Sequence, residues 1–300
     1  MKRVLALVTV AGLGLVACSN SDPLDEGGDG GGDRDSSAIV IGSQDYYSSE
    51  IIAEIYAQAL EAEGYEVERD FRIGQREAYL PEIEEGKIDL FPEYTGPLLR
   101  YWEGETEVRE ADEVYDELVD AAPDGLRVFE YSPATDQDAY FVTKDFADEW
   151  GLETLEDLKN VEESITVGAN SELETRPNGP IGLKDVYGVD VGFTPIEDGG
   201  GQLTVNALKG DDIQMALIYT ADPRVADSEL VQLDDTKNLF LASHVVPLAS
   251  DNVDEKAEEI INKVSAALSP EDLVELNARS ANESLPADVI AKDWLAEQDF

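Results

Sequence analysis

The sequence predicts an α/β protein of two lobes with a ligand cleft between them. From residue 39 onward, short apolar runs closed by turn residues alternate with segments of helical spacing, which is typical of α/β domains with a parallel sheet. The apolar segment 240–248 is placed to return the chain to the first lobe. We therefore assign residues 39–134 and 237–300 to lobe 1, and residues 135–236 to lobe 2.

Lobe 1 opens with a strand and a helix. The run Ile39–Ser43 is apolar and ends in a turn signal, so it predicts a buried strand. Residues 49–64 place apolar side chains at helical spacing, and Gly64 is positioned to end that helix. A strand, a short helix, a strand, a helix and a strand are then expected at residues 67–73, 77–85, 88–91, 111–122 and 127–132.

Lobe 2 repeats the alternation of strands and helices. Its strands are expected at residues 139–143, 164–168, 214–219 and 230–233. A capping box predicts a helix at residues 154–159, a second helix covers residues 205–209, and residues 169–182 read as a loop. After the return to lobe 1, three closing helices are expected at residues 253–268, 270–278 and 286–297.

The N-terminus predicts an exported lipoprotein. Residues 1–17 combine a positively charged start with an apolar run that is too short to span a bilayer, as in a signal peptide. The run ends in LVAC, and Cys18 is the only cysteine, so we expect cleavage before Cys18 and a lipid anchor on it. An ordinary secretory signal is the alternative. Residues 18–38, rich in Gly, Asp and Ser, predict a flexible tether.

The charge of the chain limits its partners. Asp and Glu number 67 against 21 Lys and Arg, which gives a formal net charge of −46. Such a surface repels nucleic acid and anionic membranes and favours cations, so we expect no nucleic-acid partner and membrane contact through the anchor only. At low ionic strength the carboxylates would repel one another and destabilise the fold, which indicates a salty habitat. The alternative is that the acidic surface only keeps the protein soluble.

The usual catalytic and metal-binding motifs are absent from the sequence. With one histidine and one cysteine, the chain excludes Cys–His nucleophiles and histidine-based metal sites. No G-x-S-x-G, Walker A or G-x-G-x-x-G stretch occurs. We therefore expect neither an enzyme nor a metal or other cofactor. A secreted carboxylate-based hydrolase stays an alternative, because acidic pairs are frequent.

Five stretches carry a resemblance to a known family. They read IGSQDYYSSEIIAEIYAQALEAEGY, DLFPEYTG, DQDAYFVTK, ANSELETRPNG and ALIYTADPRV. In this order they resemble the substrate-binding proteins of osmoprotectant ABC importers, which capture glycine betaine, choline, carnitine and related quaternary amines. The resemblance covers residues 39–300. It implies a type II periplasmic-binding-protein-like clamshell, held by its anchor at the extracytoplasmic face of the cell membrane, which works as a monomer with an ABC permease.

The resemblance also implies an aromatic cage for the ligand. A quaternary ammonium group has no N–H to donate, so ring faces must attract its diffuse charge. Tyr94 of PEYTG, Tyr140 of DAY and Tyr219 of IYT match the family's ring positions. Arg176 of TRPNG matches the arginine that holds a betaine carboxylate in a bidentate pair.

The sequence departs from the family pattern around this cage. Gln44 replaces the family's lysine, and Pro97 follows the Tyr-Thr-Gly motif. The fourth ring is missing, or His244 supplies it, with Tyr46 and Tyr47 as other candidates. These changes favour choline, a larger betaine or another cationic solute over plain glycine betaine. An amino-acid or polyamine receptor and a sensor domain are the alternatives.

Three expectations concern the surroundings of the cage. Thr95 and Gly96 are expected to form the turn that presents Tyr94. Tyr101 and Trp102 are expected to pack the helix that follows. Asp138 lies beside the cage and reads as a solvated carboxylate, with attraction of a cationic ligand as the alternative.

Overall fold

The structure is a computed structural model that describes residues 38–104 and 106–298. The predicted signal peptide, Cys18 and all but the last residue of the predicted tether lie outside the described residues. Across those two ranges, no helix has both the length and the apolar character needed to cross a bilayer.

Strands and helices alternate along the described chain. The strands are β1 (Ile39–Gln44), β2 (Val67–Gly74), β3 (Leu90–Tyr94), β4 (Leu126–Val128), β5 (Asp138–Thr143), β6 (Thr166–Ala169), β7 (Gly192–Pro195), β8 (Met215–Tyr219), β9 (Leu230–Gln232) and β10 (Val245–Ser250). The α-helices are α1 (Tyr47–Ala62), α2 (Arg76–Glu84), α3 (Thr95–Glu103), α4 (Ala111–Ala121), α5 (Lys144–Trp150), α6 (Pro180–Gly182), α7 (Gln202–Lys209), α8 (Glu255–Ala267), α9 (Pro270–Glu283) and α10 (Ala287–Glu297).

The first sheet has the strand order β2-β1-β3-β10-β4. β1 runs parallel to β2 and β3, as predicted, but β10 runs antiparallel to β3 and β4. The sheet is therefore mixed rather than parallel. The reason is the return path: β10 enters beside the carboxyl end of β3, where Val245 pairs with Tyr94, and so it must run in the opposite direction.

The second sheet has the order β7-β6-β8-β5-β9. β6 runs parallel to β7 and β8, whereas β5 runs antiparallel to β8 and β9. The chain passes to this sheet between β4 and β5 and returns between β9 and β10. The two passages lie side by side, because Thr135 and His244 form an antiparallel bridge.

Apolar layers cover both faces of each sheet. In the first sheet, Leu90 and Tyr94 of β3 pack with α1 and the C-terminal helices, while Phe91 packs with α2, α3 and α4 on the other face. This is the two-residue alternation of a strand. Two further clusters cover the second sheet. The sheets thus have the helix–sheet–helix layering of an α/β fold.

The segment after β3 differs from its prediction. Thr95 and Gly96 are the first residues of α3 rather than a turn, and Tyr94 is the residue that precedes the helix. A Cβ on Gly96 would lie 2.6 Å from the carbonyl oxygen of Ala242, so the glycine lets α3 approach this segment. Trp102 packs into the core as expected, but Tyr101 is 41% exposed.

Candidate ligand-binding site

A small cavity lies where the ends of β1, β3 and β8 meet. Its volume is about 30 Å³, room for little more than one water molecule. We call it the ring cavity. Its lining residues are Gln44, Tyr46, Gln75, Arg76, Tyr94, Pro97, Asp136, Asp138, Arg176, Tyr219 and Ser243. Both sheets contribute to this lining, so the cavity lies in the cleft between them.

Three tyrosine rings line the ring cavity. Tyr94 ends β3 and Tyr219 ends β8, as the sequence predicted. The third is Tyr46, which directly precedes α1 and whose ring centroid lies 5.3 Å from that of Tyr219. Tyr94 is only 4% exposed. Of the two tyrosines that the sequence offered as replacements for the fourth ring, Tyr46 therefore reaches the cavity.

A buried ion pair between Arg76 and Glu93 lies beside Tyr94 at the ring cavity. The guanidinium of Arg76 donates to both carboxylate oxygens of Glu93, at 2.7 and 2.9 Å. Glu93 also accepts from the Tyr79 hydroxyl and, at 2.7 Å, from the backbone N–H of Tyr94. Because Glu93 is fully buried, this network fixes both the backbone of Tyr94 and the Arg76 side chain. Arg76 lines the cavity with its charge already balanced.

Two carboxylates face the same cavity. Asp136 is 5% exposed, and one of its oxygens accepts from the backbone N–H of Ala221 at 2.8 Å. The pKa of Asp136 is raised to about 8, mainly by burial and also by the neighbouring charges of Asp138 and Asp222, while the hydrogen bond from Ala221 lowers it. Asp138 accepts from the Asn178 amide at 2.7 Å, and burial raises its pKa too. Asp138 is thus part of the cavity wall, not a solvated side chain as predicted.

Gln44 offers a donor inside the ring cavity. It is 4% exposed, and its side-chain nitrogen has no hydrogen-bond partner in the described chain. A buried amide donor without a partner is costly, and it is a feature of sites that bind a polar group. The structure therefore places this predicted site residue at the cavity.

Arg176 reaches the cavity from the loop after β6, as predicted, but it is already paired. Its guanidinium donates to the carboxylate of Glu77 on α2, with the closest contact at 2.9 Å. The two side chains come from opposite sides of the cleft, so the pair bridges it. A ligand carboxylate that binds Arg176 must compete with Glu77.

Tyr140 does not line the ring cavity. It is fully buried in the core of the second sheet, and its hydroxyl donates to the carbonyl of Asn178 at 2.8 Å. Strand pairing gives the reason: Asp138 lies opposite Tyr219 at the cleft, whereas Tyr140 lies opposite Leu217, two residues deeper. Asp138 therefore occupies the cavity position that was predicted for Tyr140.

His244 also lies away from the cavity lining. Its Nδ1 is 2.8 Å from the carbonyl oxygen of Ser132, and its ring packs 4.9 Å from that of Tyr131. The preceding residue, Ser243, lines the cavity instead. Since neighbouring residues of extended chain point to opposite sides, the histidine turns toward the crossing segments between the sheets.

A second, larger cavity adjoins the first. We call it the outer cavity; its volume is about 250 Å³, and it shares Arg76, Pro97, Asp138 and Arg176 with the ring cavity. Tyr101 lines it, which explains the exposure of this ring. The cleft therefore combines a tight aromatic compartment with a larger adjoining space.

Comparison with known proteins identifies the family. Residues 37–297 match the profile of the substrate-binding domain of the ABC-type glycine betaine transport system. The chain belongs to this family. Its members are extracytoplasmic binding proteins of transport systems rather than enzymes.

Curated relatives of this glycine betaine transport family align along most of their length. The carnitine transport binding protein OpuCC of Listeria monocytogenes is 25% identical, over 100% of this chain and 98% of the relative. The glycine betaine-binding protein YehZ of Escherichia coli is 24% identical, over 87% of this chain and 91% of the relative.

Solved structures of similar proteins share the fold. A glycine betaine/carnitine/choline ABC transporter protein superposes with a TM-score of 0.68 at 21% identity, covering 86% of this chain and 98% of that one. Lactococcal OpuAC in its closed form with glycine betaine gives 0.63 at 12% identity, covering 87% and 93%. The fold is thus the type II periplasmic-binding-protein fold, as the resemblance implied.

Proposed function

We propose that this protein captures a quaternary-ammonium solute, such as glycine betaine or choline, in the ring cavity and delivers it to an ABC permease. The observation that carries the proposal is the convergence of Tyr46, Tyr94 and Tyr219 with two carboxylates at one cleft. Each ring face contributes about 0.5–1 kcal/mol to a cation when exposed, and about 2 kcal/mol or more when desolvated. Family membership supports the same role.

The capture mechanism is closure of two lobes about a hinge. We keep residues 39–134 and 237–300 as lobe 1 and residues 135–236 as lobe 2, since the two sheets divide along these limits. Tyr46 and Tyr94 then approach the solute from one lobe and Tyr219 from the other. The ring cavity has room for little more than one water molecule, so the rings must separate for a trimethylammonium group to enter.

Contacts across the cleft hold the closed form. The Tyr47 hydroxyl donates to Asp222 at 2.7 Å, and Arg176 pairs with Glu77. His244 belongs to the hinge, where the two crossing segments pair. Tyr47 and His244 thus serve closure rather than the cage.

The sequence motif at Cys18 supports a lipid anchor, and the family resemblance supports a monomer. We propose cleavage before Cys18, a lipid on Cys18 and action as a monomer tethered outside the cytoplasmic membrane. Incorporation of labelled palmitate, lost in Cys18→Ala, tests the anchor; unchanged labelling of that variant would contradict it.

Titration calorimetry with choline, glycine betaine and carnitine tests the ligand class. We expect binding of at least one of them, with heat that depends on the rings of the cavity. Tyr65→Ala is a matched control, because Tyr65 is a surface ring bonded to Asp254 and lies away from the cleft. Absence of binding by all three solutes would reject a quaternary-ammonium receptor.

A polyamine receptor is the second candidate, and the pair of carboxylates at the cavity favours it. Putrescine and spermidine belong in the same titration series. Binding of a polyamine with no binding of a quaternary amine would assign this function instead.

Arg176→Ala is expected to weaken glycine betaine binding more than choline binding, because only glycine betaine has a carboxylate for the guanidinium. Arg279→Ala is the matched control: the side chain of Arg279 is 23% exposed against 24% for Arg176, and its partner Asp293 is 51% exposed against 47% for Glu77. Affinities from calorimetry give the comparison. Equal losses for the two solutes would make Arg176 a structural residue.

A further inference from the structure

The ring cavity is lined by more carboxyl groups than a cage for a zwitterion needs. Asp136 and Asp138 both line it, and in the described chain neither forms an ion pair with a basic side chain. The two nearest guanidinium groups already have carboxylate partners: Arg76 holds Glu93, and Arg176 holds Glu77. A positive charge is therefore the missing complement of this cavity.

The buried amide of Gln44 is independent evidence that this pair faces a ligand. Its side-chain nitrogen has no partner in the part of the chain that the structure describes, and it lines the same cavity. A donor without a partner next to two acceptors indicates a compartment built for a polar solute. The three surrounding rings supply the faces that a cation requires.

We infer that Asp136 and Asp138 select solutes of net positive charge, and that capture of the cation displaces one proton from this pair. The inference rests on the proposed function and narrows its ligand to the choline type. The proton leaves to solvent and the solute's charge replaces it, so the net charge of the site stays the same. The proton belongs to the coupled pair rather than to one oxygen.

Burial and the surrounding groups support this exchange. Asp136 is 95% buried among neutral rings, and its pKa is raised to about 8, first by burial and then by the charges of Asp138 and Asp222. The pKa of Tyr219 is raised, mainly by burial, so that its ring stays neutral. Tyr46 and Tyr94 behave in the same way, again mainly through burial.

The basic groups near the pair act in the opposite direction, chiefly on Asp138. Its pKa is raised by burial, while the charges of Arg176, Arg76 and Arg100 oppose that rise. In the ligand-free protein, Asp136 therefore keeps its proton to a higher pH than Asp138 does. A bound cation favours the ionised carboxylate and lowers the pKa of Asp136.

The sign of the pH dependence follows from this difference. Below about pH 8, and down to the lower pKa of the occupied site, the ligand-free site retains a proton that the occupied site has lost. Choline affinity is therefore expected to rise with pH in this window, by up to about tenfold per unit for one proton, and to level off above about pH 8.

Calorimetry of the full-length protein with choline and glycine betaine tests the inference. Each solute is titrated at neutral pH in phosphate and in HEPES, two buffers that differ in ionisation enthalpy. The difference between the two binding heats then gives the number of protons released per solute. For choline we expect release that approaches one proton per solute, and tighter binding than for glycine betaine.

Two variants and a control show which carboxyl group is responsible for proton release and for choline selectivity. Asp136→Asn resembles the protonated side chain and keeps the acceptor for Ala221, so it is expected to fold, release no proton and bind choline at least tenfold more weakly. Asp138→Asn should lower the ratio of choline to betaine affinity. Asp148→Asn, at an exposed acid paired with Lys144, should change neither quantity.

The possible outcomes separate the two proposals. Choline binding without proton release, or betaine binding at least as tight as choline, overturns the inference and leaves the proposed function standing. Failure of every quaternary amine to bind overturns the proposed function itself.

Discussion

Tyr94→Ala is expected to weaken binding of the quaternary-ammonium solute at least tenfold. Tyr94 is 4% exposed and lines the ring cavity, so its face meets the cation with little solvent screening. A desolvated ring face contributes about 2 kcal/mol or more, which exceeds the 1.4 kcal/mol that corresponds to one factor of ten. Calorimetric titration of the variant gives the affinity directly.

Two further variants isolate the ring face of Tyr94 from other effects. Tyr94→Phe keeps the face and should retain most of the affinity. Tyr140→Phe removes a hydroxyl bonded to Asn178 outside the cavity lining, and it should leave the affinity within a few-fold of the original. Unchanged binding in Tyr94→Ala, with Tyr46 and Tyr219 intact, would remove Tyr94 from the cage.

The sequence predicted well those features that local patterns determine. Apolar runs and helical spacing located β1, α1, β2 and the C-terminal helices within a few residues. Two rings at strand ends, Tyr94 and Tyr219, were also predicted, because a motif at the end of a buried strand must emerge at the edge of the sheet.

The sequence could not predict features that depend on pairing between distant segments. The direction of β10 against β3 is set by the return path from the second sheet. β7 was missed because it is an edge strand whose residues are mostly exposed, so it lacks an apolar run. α5 was missed because it is short and buries only Phe146 and Ala147.

Pairing between distant segments also explains why Asp138, and not the predicted Tyr140, lines the ring cavity. Both residues lie on one face of β5, and the sequence alternation does not show which of them reaches the cleft. The pairing of Asp138 with Tyr219 decides it, and that pairing joins residues 81 positions apart, 138 to 219. Asp138, two residues before Tyr140, was the available signal, but the match to the family motif favoured the tyrosine.

Glu93→Ala is expected to lower the free energy of unfolding by about 3–5 kcal/mol, the effect of removing one partner from a buried ion pair. Glu93 is fully buried and the side chain of Arg76 is 8% exposed, so the variant leaves a guanidinium without its counter-charge. The Tyr79 hydroxyl and the Tyr94 N–H lose their acceptor as well. Urea unfolding followed by circular dichroism measures the change.

Comparison with a surface pair and with a double replacement shows whether the unpaired charge is the cause. Glu61→Ala breaks an exposed pair with Arg69, and it should cost less than about 1 kcal/mol. Replacing both partners, as in Glu93→Leu with Arg76→Met, should recover much of the stability, since no charge then remains buried. A loss below about 1 kcal/mol in Glu93→Ala would mean that water reaches Arg76. In that case the ion pair between Arg76 and Glu93 would not be sealed from solvent, and it would not be what holds Tyr94 in position.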